Sequence, residues 1–197
     1  GEELDMQSFL AEPLIFQLQA GRCSLFKGKQ ESILVDSSYN ASPLSMRKLI
    51  DTTLILNKSL PEQRKVLLVL GDMRELGDLT EKEHRLLAAY VQQSADFVVL
   101  LWTSMHHFLA DELGKIWFPS SQFQLCHSAS EVGKFVLEFL KKSDEKWILL
   151  FKGSQNTIFL EEAVKMLLKN PSDAKFLTRQ SDWWLQKKKW TVQKRGA

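Results

Sequence analysis

Short unbroken apolar runs alternate along this chain with segments whose apolar residues recur every three or four positions. Residues 65–70 (KVLLVL), 97–101 (FVVLL) and 147–151 (WILLF) are apolar throughout, the pattern of strands covered on both faces. Residues 23–27 and 32–35 flank a turn at Gly28 and read as a hairpin, and 122–125 reads as a further short strand. Between them, 45–57 places Met46, Leu49, Ile50 and Leu54 on one helical face. Thr80 with Glu83, and Ser128 with Glu131, are capping-box signatures for helices running to about Ser94 and about Lys142. Residues 104–113 and 158–169 read as two more helices. Strands and helices alternating at this spacing predict an α/β fold, a mostly parallel six-stranded sheet with helices on both faces. The first strand alone should run antiparallel, because its connection is too short for a crossover.

Three polar loops follow three of these strands: 36–42 (DSSYNAS), 71–77 (GDMRELG) and 152–156 (KGSQN). In a parallel sheet they share the edge at which open α/β folds bind ligands. They supply carboxylates (Asp36, Asp72, Glu75), cations (Arg74, Lys152), hydroxyls (Ser37, Ser38, Ser154) and amides (Asn40, Gln155, Asn156). Such a set suits a phosphorylated or zwitterionic ligand, and the glycines beside Asp72 and Ser154 let backbone amides come close. Each piece alone has a plainer reading. Asp36 can cap a turn, Asp72 and Glu75 can balance Arg74, and Lys152 can be a solvated charge. Convergence on one edge is what favours a site.

Composition narrows the class. The chain of 197 residues is 44% hydrophobic and 25% charged, with a formal charge of +2, as expected of a globular domain and too weak a charge to imply a nucleic-acid partner. Cys23 and Cys126 lack metal-ligand spacing and suit a reducing cytoplasm. No apolar run approaches the roughly 18 residues that span a membrane. His84 falls in the first turns of a helix, where a plain surface role suffices. His106 and His107 are adjacent and so point about 100° apart on a helix. With no carboxylate or cysteine at ligand spacing, no protein metal site is expected. GxxxxGK[ST], GxSxG and GxGxxG are all absent, so the chain lacks a main phosphate cradle of its own.

The two ends differ from the middle. Residues 1–20, with Pro13 and a Gly1 start, read as a hinge and the remnant of a preceding element. Residues 171–197 interleave Trp183, Trp184 and Trp190 with lysines. Such a stretch could stack on single-stranded nucleic acid. The favoured alternative is a terminal helix docked by its tryptophans, with the lysines in water.

The order Gly21-Arg22, DSSYNASPLSM (36–46), LGDMRELG (70–77), EKEH (81–84) and Lys152-Gly153-Ser154 resembles the C-terminal part of Mur ligases, of the type that adds D-alanyl-D-alanine to a UDP-N-acetylmuramoyl tripeptide. The resemblance runs from about residue 21 to about residue 169. It implies a Rossmann-like C-terminal domain (21–170) that follows an ATP-binding central domain with a P-loop, and an N-terminal domain. It further implies a cytoplasmic bacterial enzyme of peptidoglycan synthesis that uses ATP and Mg2+, both held mainly by the central domain. In that reaction the peptide carboxylate is phosphorylated by ATP and the dipeptide amine then attacks it.

By the same resemblance, Asp36, Ser37, Tyr39 and Asn40 meet the nucleotide, with Asn40 near the terminal phosphate. Lys152, Ser154 and Asn156 frame the dipeptide, Asp72 and Glu75 lie on its side, and Arg22 sits at the hinge. Asn40 and Lys152 are the expected catalytic pair. Ser37 stands where the family usually carries a second acid. A domain that has lost its chemistry and acts as a scaffold is the alternative this departure raises.

Overall fold

The computed structural model describes residues 18–155 and 157–195; expectations falling on residues 1–17 and on Asn156 lie outside the described residues. Six strands, β1 (Ser24–Lys27), β2 (Ile33–Ser37), β3 (Lys65–Gly71), β4 (Phe97–Leu101), β5 (Phe123–Cys126) and β6 (Trp147–Lys152), form one sheet. Their order is β1-β2-β6-β3-β4-β5. The β1–β2 pair is antiparallel and every other pair is parallel. The expected six-stranded, mostly parallel sheet is therefore present, including its one antiparallel strand.

Alternation along the strands sorts their side chains into two apolar layers. Leu34, Leu67, Val69, Leu149 and Phe151 face one layer. It is closed by α4 (Ala129–Lys142) and α5 (Glu161–Leu167). Val35, Val66, Leu68, Leu70, Ile148 and Leu150 face the other, closed by α1 (Pro43–Lys58) and α2 (Thr80–Ser94). A π-helical turn, Met105–Ala110, runs into α3 (Asp111–Lys115) on the same side. Each fully buried Leu, Ile or Phe contributes about 1.5–3 kcal/mol, so the strands that carry the loops are firmly held.

This winding positions the candidate site. β2 and β6 are neighbours, yet the chain leaves β2 towards α1 on one face and leaves β6 towards α5 on the other. A crevice opens where adjacent connections diverge in this way. Ser42 and Pro43 start α1 sharply. Ser42 Oγ accepts the Ser45 amide and Ser45 Oγ accepts the Ser42 amide, with proline in the first turn.

Local details depart from the sequence expectations. Thr80 and Glu83 do not form a capping box. The chain enters α2 through a 3-10 turn, Gly77–Leu79, that puts Leu79 at the cap. Thr80 Oγ1 instead donates to the Gly77 carbonyl, and Glu83 pairs with Arg47 of α1. The helix expected over 158–169 is only Glu161–Leu167, because Thr157 and Phe159 take positive φ angles of 62° and 49°. The chain end after 170 holds a 3-10 turn, Pro171–Phe176, and a helix, α6 (Asp182–Arg195).

At the far end of α1 the Asn57 side chain clips the helix to the start of β3. Its Nδ2 donates to the Arg64 carbonyl at 2.7 Å and its Oδ1 accepts the Arg64 amide at 2.9 Å. Replacing Asn57 by alanine orphans both backbone groups. We expect Asn57→Ala to lower the unfolding free energy by about 2 kcal/mol in a urea titration. A loss below about 0.5 kcal/mol would show that the clip carries no stability.

Candidate functional site

The three polar loops meet, and Ser154 joins them. Its hydroxyl accepts the Arg74 amide at 2.8 Å and donates to the Ala41 carbonyl at 3.4 Å, while its own amide donates to the Asp72 carbonyl at 3.1 Å. The side chain is 2% exposed. One buried hydroxyl thus touches the loop after β2 and the loop after β3 from the loop after β6. Gly71 and Gly153 let the last two pass closely; a Cβ on Gly153 would sit 3.3 Å from the Gly71 Cα.

Lys152 ends β6 beneath the first loop. Its Nζ donates to the Asn40 carbonyl at 2.6 Å and lies 3.5 Å from Ser37 Oγ. Burial, followed by the charge of Arg22, pulls its pKa down to about 8. The ammonium is therefore still charged at neutral pH and releases its proton just above it. Asn40 Oδ1 accepts the Ala41 amide at 2.8 Å and the Gln155 amide at 3.5 Å, which joins the first loop to the third and fixes the carbonyl end of the side chain. The Arg22 guanidinium lies over the Tyr39 ring, 4.4 Å from its centroid. Arg22, Ser37, Tyr39, Asn40, Ser42 and Lys152 all line one cavity of about 350 Å³. Leu18, Cys23, Ala41 and Leu49 make the rest of its lining largely apolar, so that two cations and the start of α1 stand at an otherwise apolar wall, an arrangement suited to an anion with an apolar neighbour group.

Other expected residues lie elsewhere. Asp36 is fully buried at the end of β2 and does not face the cavity. Its Oδ1 accepts the Ser38 amide at 3.0 Å, and burial pushes its carboxyl above the usual range. Ser38 is equally buried. Both residues support the loop from below. Asp72 is also turned inward. Its two oxygens accept the Ser104 and Met105 amides at 3.2 and 2.9 Å, capping the helical turn that follows β4. Both oxygens of the residue expected from sequence to contact a ligand are thus engaged with backbone amides. Glu75 is exposed in the second loop, at φ 64°.

Sequence reasoning missed two groups. The first is His84, which is not a surface residue but fully buried. Its Nε2 accepts the Met73 amide at 3.1 Å, which leaves Nδ1 to donate to the Thr80 carbonyl at 2.7 Å. The second loop is thereby pinned to α2. The signal was available: His84, Leu87, Ala88 and Val91 form a single buried stripe. The second is a buried charge cluster, in which Glu161 of α5 is held by Arg179 and by Lys188 of α6. Trp184 of α6 packs edge-on against Phe159. The terminal helix is docked, with Trp183 and Trp190 left exposed.

His106 lies edge-on to His127 with ring centroids 5.0 Å apart. Among the described residues, no group of three or more His, Cys, Asp or Glu side chains is placed to hold a metal ion. Nor is any helix among them long and apolar enough to cross a membrane.

Comparison with known proteins identifies the family and the fold. The sequence model described as "Mur ligase, glutamate ligase domain" matches residues 21–155. The UDP-N-acetylmuramoyl-tripeptide–D-alanyl-D-alanine ligase of Bacillus subtilis (strain 168) is 33% identical over 150 residues, covering 76% of this chain and 31% of that protein. The structure of MurF from Acinetobacter baumannii superposes with a TM-score of 0.60 at 24% identity, over 75% of this chain and 30% of that one. MurF ligase from Thermotoga maritima in complex with ADP gives 0.59 at 22% identity, over 83% and 35%. At those identities the two structures bear on the fold alone. The chain spans about a third of the length of these relatives.

The His84 clip makes a pH-dependent contribution. Burial holds the imidazole below its ordinary pKa. Between that lowered value and about 6.5 the unfolded chain binds a proton that the folded chain does not, so stability falls as pH drops through the window. We expect His84→Gln to melt below the parent at about pH 7.5, with the gap narrowing towards about pH 5. A gap that stays constant with pH would contradict the buried neutral imidazole.

Proposed function

Because the chain belongs to the Mur ligases, within the glutamate ligase domain of that family, we propose that it is the closing domain of an ATP-dependent amide ligase. The ligase would join D-alanyl-D-alanine to a UDP-N-acetylmuramoyl tripeptide in the bacterial cytoplasm, for peptidoglycan synthesis. One observation carries the reading: Arg22, Asn40 and Lys152 converge on a single cavity at the crevice between β2 and β6. The 33% identity to the Bacillus ligase supports the substrate class.

The donor set fits a nucleotide phosphate. Arg22 and the Asn40 NH2 would bind and orient phosphate oxygens, Tyr39 would flank the nucleotide, and Ser37 would offer a neutral hydroxyl where an acid is more usual. When bound, ATP supplies the phosphoryl group that activates the peptide carboxylate, and Mg2+ offsets charge there. By the family resemblance, that ion would be held mainly by the P-loop domain.

The chain's own task is then placement. Lys152, charged at neutral pH, would hold the dipeptide carboxylate or a developing oxyanion in a site from which water is excluded. Ser154, Glu75 and Asn156 belong to the loops that would frame the dipeptide, and Asp72 would act by shaping its loop. Gly21, at φ 74°, and Arg22 would form the hinge about which the domain closes.

In the intact ligase that carries this chain, Asn40→Ala and Lys152→Ala should each lower D-alanyl-D-alanine-dependent phosphate release at least about tenfold. Activity of the parent should decline as pH rises through about 8, where Lys152 loses its proton. Activities within about twofold of the parent for both variants would overturn the assignment.

A further inference from the structure

The family match ends at residue 155, yet the first candidate loop is held from beyond it. Leu177, Thr178 and Arg179 are 3, 6 and 8% exposed, with Arg179 in a left-handed backbone conformation at φ 56°. The Arg179 guanidinium grips Glu161 through both carboxylate oxygens, Nε to Oε1 at 2.9 Å and Nη2 to Oε2 at 2.7 Å. Its remaining donors reach the loop. Nη2 donates to the Ser38 carbonyl at 2.8 Å and Nη1 to the Tyr39 carbonyl at 3.2 Å. The planar fork of arginine can serve a carboxylate and two carbonyls at once; a lysine ammonium cannot reproduce that geometry.

The same segment touches the hinge. A Cβ on Gly21 would lie 3.0 Å from Thr178 Cγ2, and the Gly21 carbonyl accepts the Tyr39 amide at 3.1 Å. Tyr39 is therefore fixed on both sides, its N–H by Gly21 and its C=O by Arg179. The N–H and C=O of a trans peptide point in opposite directions. Holding the Tyr39 carbonyl on Arg179 turns the following Asn40 N–H away from the C-terminal segment. Glu161 is itself fixed by a second cation, Lys188 of α6, at 2.8 Å. The helix, the buried carboxylate and the arginine form one rigid brace behind the loop.

We propose that Arg179 is a positioning residue for the nucleotide-facing loop, so that the C-terminal segment is a working part of the cleft rather than an inert appendage. The inference rests on the ligase reading given above for its kinetic consequence, and on the hydrogen bonds alone for its structural one. Its conservative test is Arg179→Lys, which keeps the charge and loses the fork.

Two measurements separate the claims. Hydrogen exchange on this chain should show the Tyr39 and Ala41 amides opening at least about tenfold faster in Arg179→Lys, with the amides of β3 and β4 unchanged. In the intact ligase the same variant should raise KM for ATP at least about tenfold and leave KM for D-alanyl-D-alanine within about twofold. A variant that merely folded less well would lower kcat and leave both KM values alone. Unchanged exchange at Tyr39 and Ala41 overturns the brace whatever the activity. Faster exchange with KM for ATP unchanged overturns the positioning role; if the parent ligase itself shows no dependence on ATP, it is the ligase reading that fails and the brace that stands. Should Arg179→Lys not fold, Glu161→Gln loosens the other end of the same fork and is read in the same two ways.

Discussion

Three loops separated by dozens of residues must come to one place, and the Ser154 hydroxyl is where they are joined. A hydroxyl can donate one hydrogen bond and accept two. Here it accepts from Arg74 and donates to Ala41. The sheet brings the loops near each other by placing β6 between β2 and β3. Adjacency alone leaves the loop backbones free to drift. The buried hydroxyl sets their mutual height, and the paired glycines Gly71 and Gly153 allow the approach.

Charge is buried on both sides of the cleft, and it is arranged differently on each. On the cavity side, the hydrogen-bond partners of Lys152 are neutral, the Asn40 carbonyl and Ser37. Burial first and the charge of Arg22 second lower its pKa, and Asp36 offsets them only in part. Behind the loop, Glu161 is matched by Arg179 and Lys188, and Arg179 also donates to the Ser38 and Tyr39 carbonyls. A buried pair of this kind gives little net stability, but removing one partner strands a buried charge. The first arrangement suits the anion-binding role proposed for the cavity, and the second that of a support.

The strands were legible from the sequence because KVLLVL, FVVLL and WILLF can be covered only on both faces. With the strand read at 32–35, the parallel sheet they imply puts the three loops on one edge. What the sequence could not supply was the direction of each polar side chain. Asp36 and Asp72 read as ligands and turned out to serve backbone amides, because a carboxylate at a strand end is equally able to cap the next turn. The Thr80–Glu83 signature failed since Leu79, not Thr80, takes the cap position. His84 was readable as the head of an apolar stripe and was passed over because histidine is polar. Arg179 lies 141 residues from the Ser38 carbonyl it holds, and no local pattern announces a contact of that range.

The central claim is that the three loops behave as one unit through Ser154, and amide exchange on Ser154→Ala tests it most directly. The account predicts that exchange accelerates together at Ala41 in the first loop and at Arg74 in the second, by about tenfold or more, while β4 and β5 keep their protection. Acceleration confined to residues 152–155, with Ala41 and Arg74 unchanged, would contradict it.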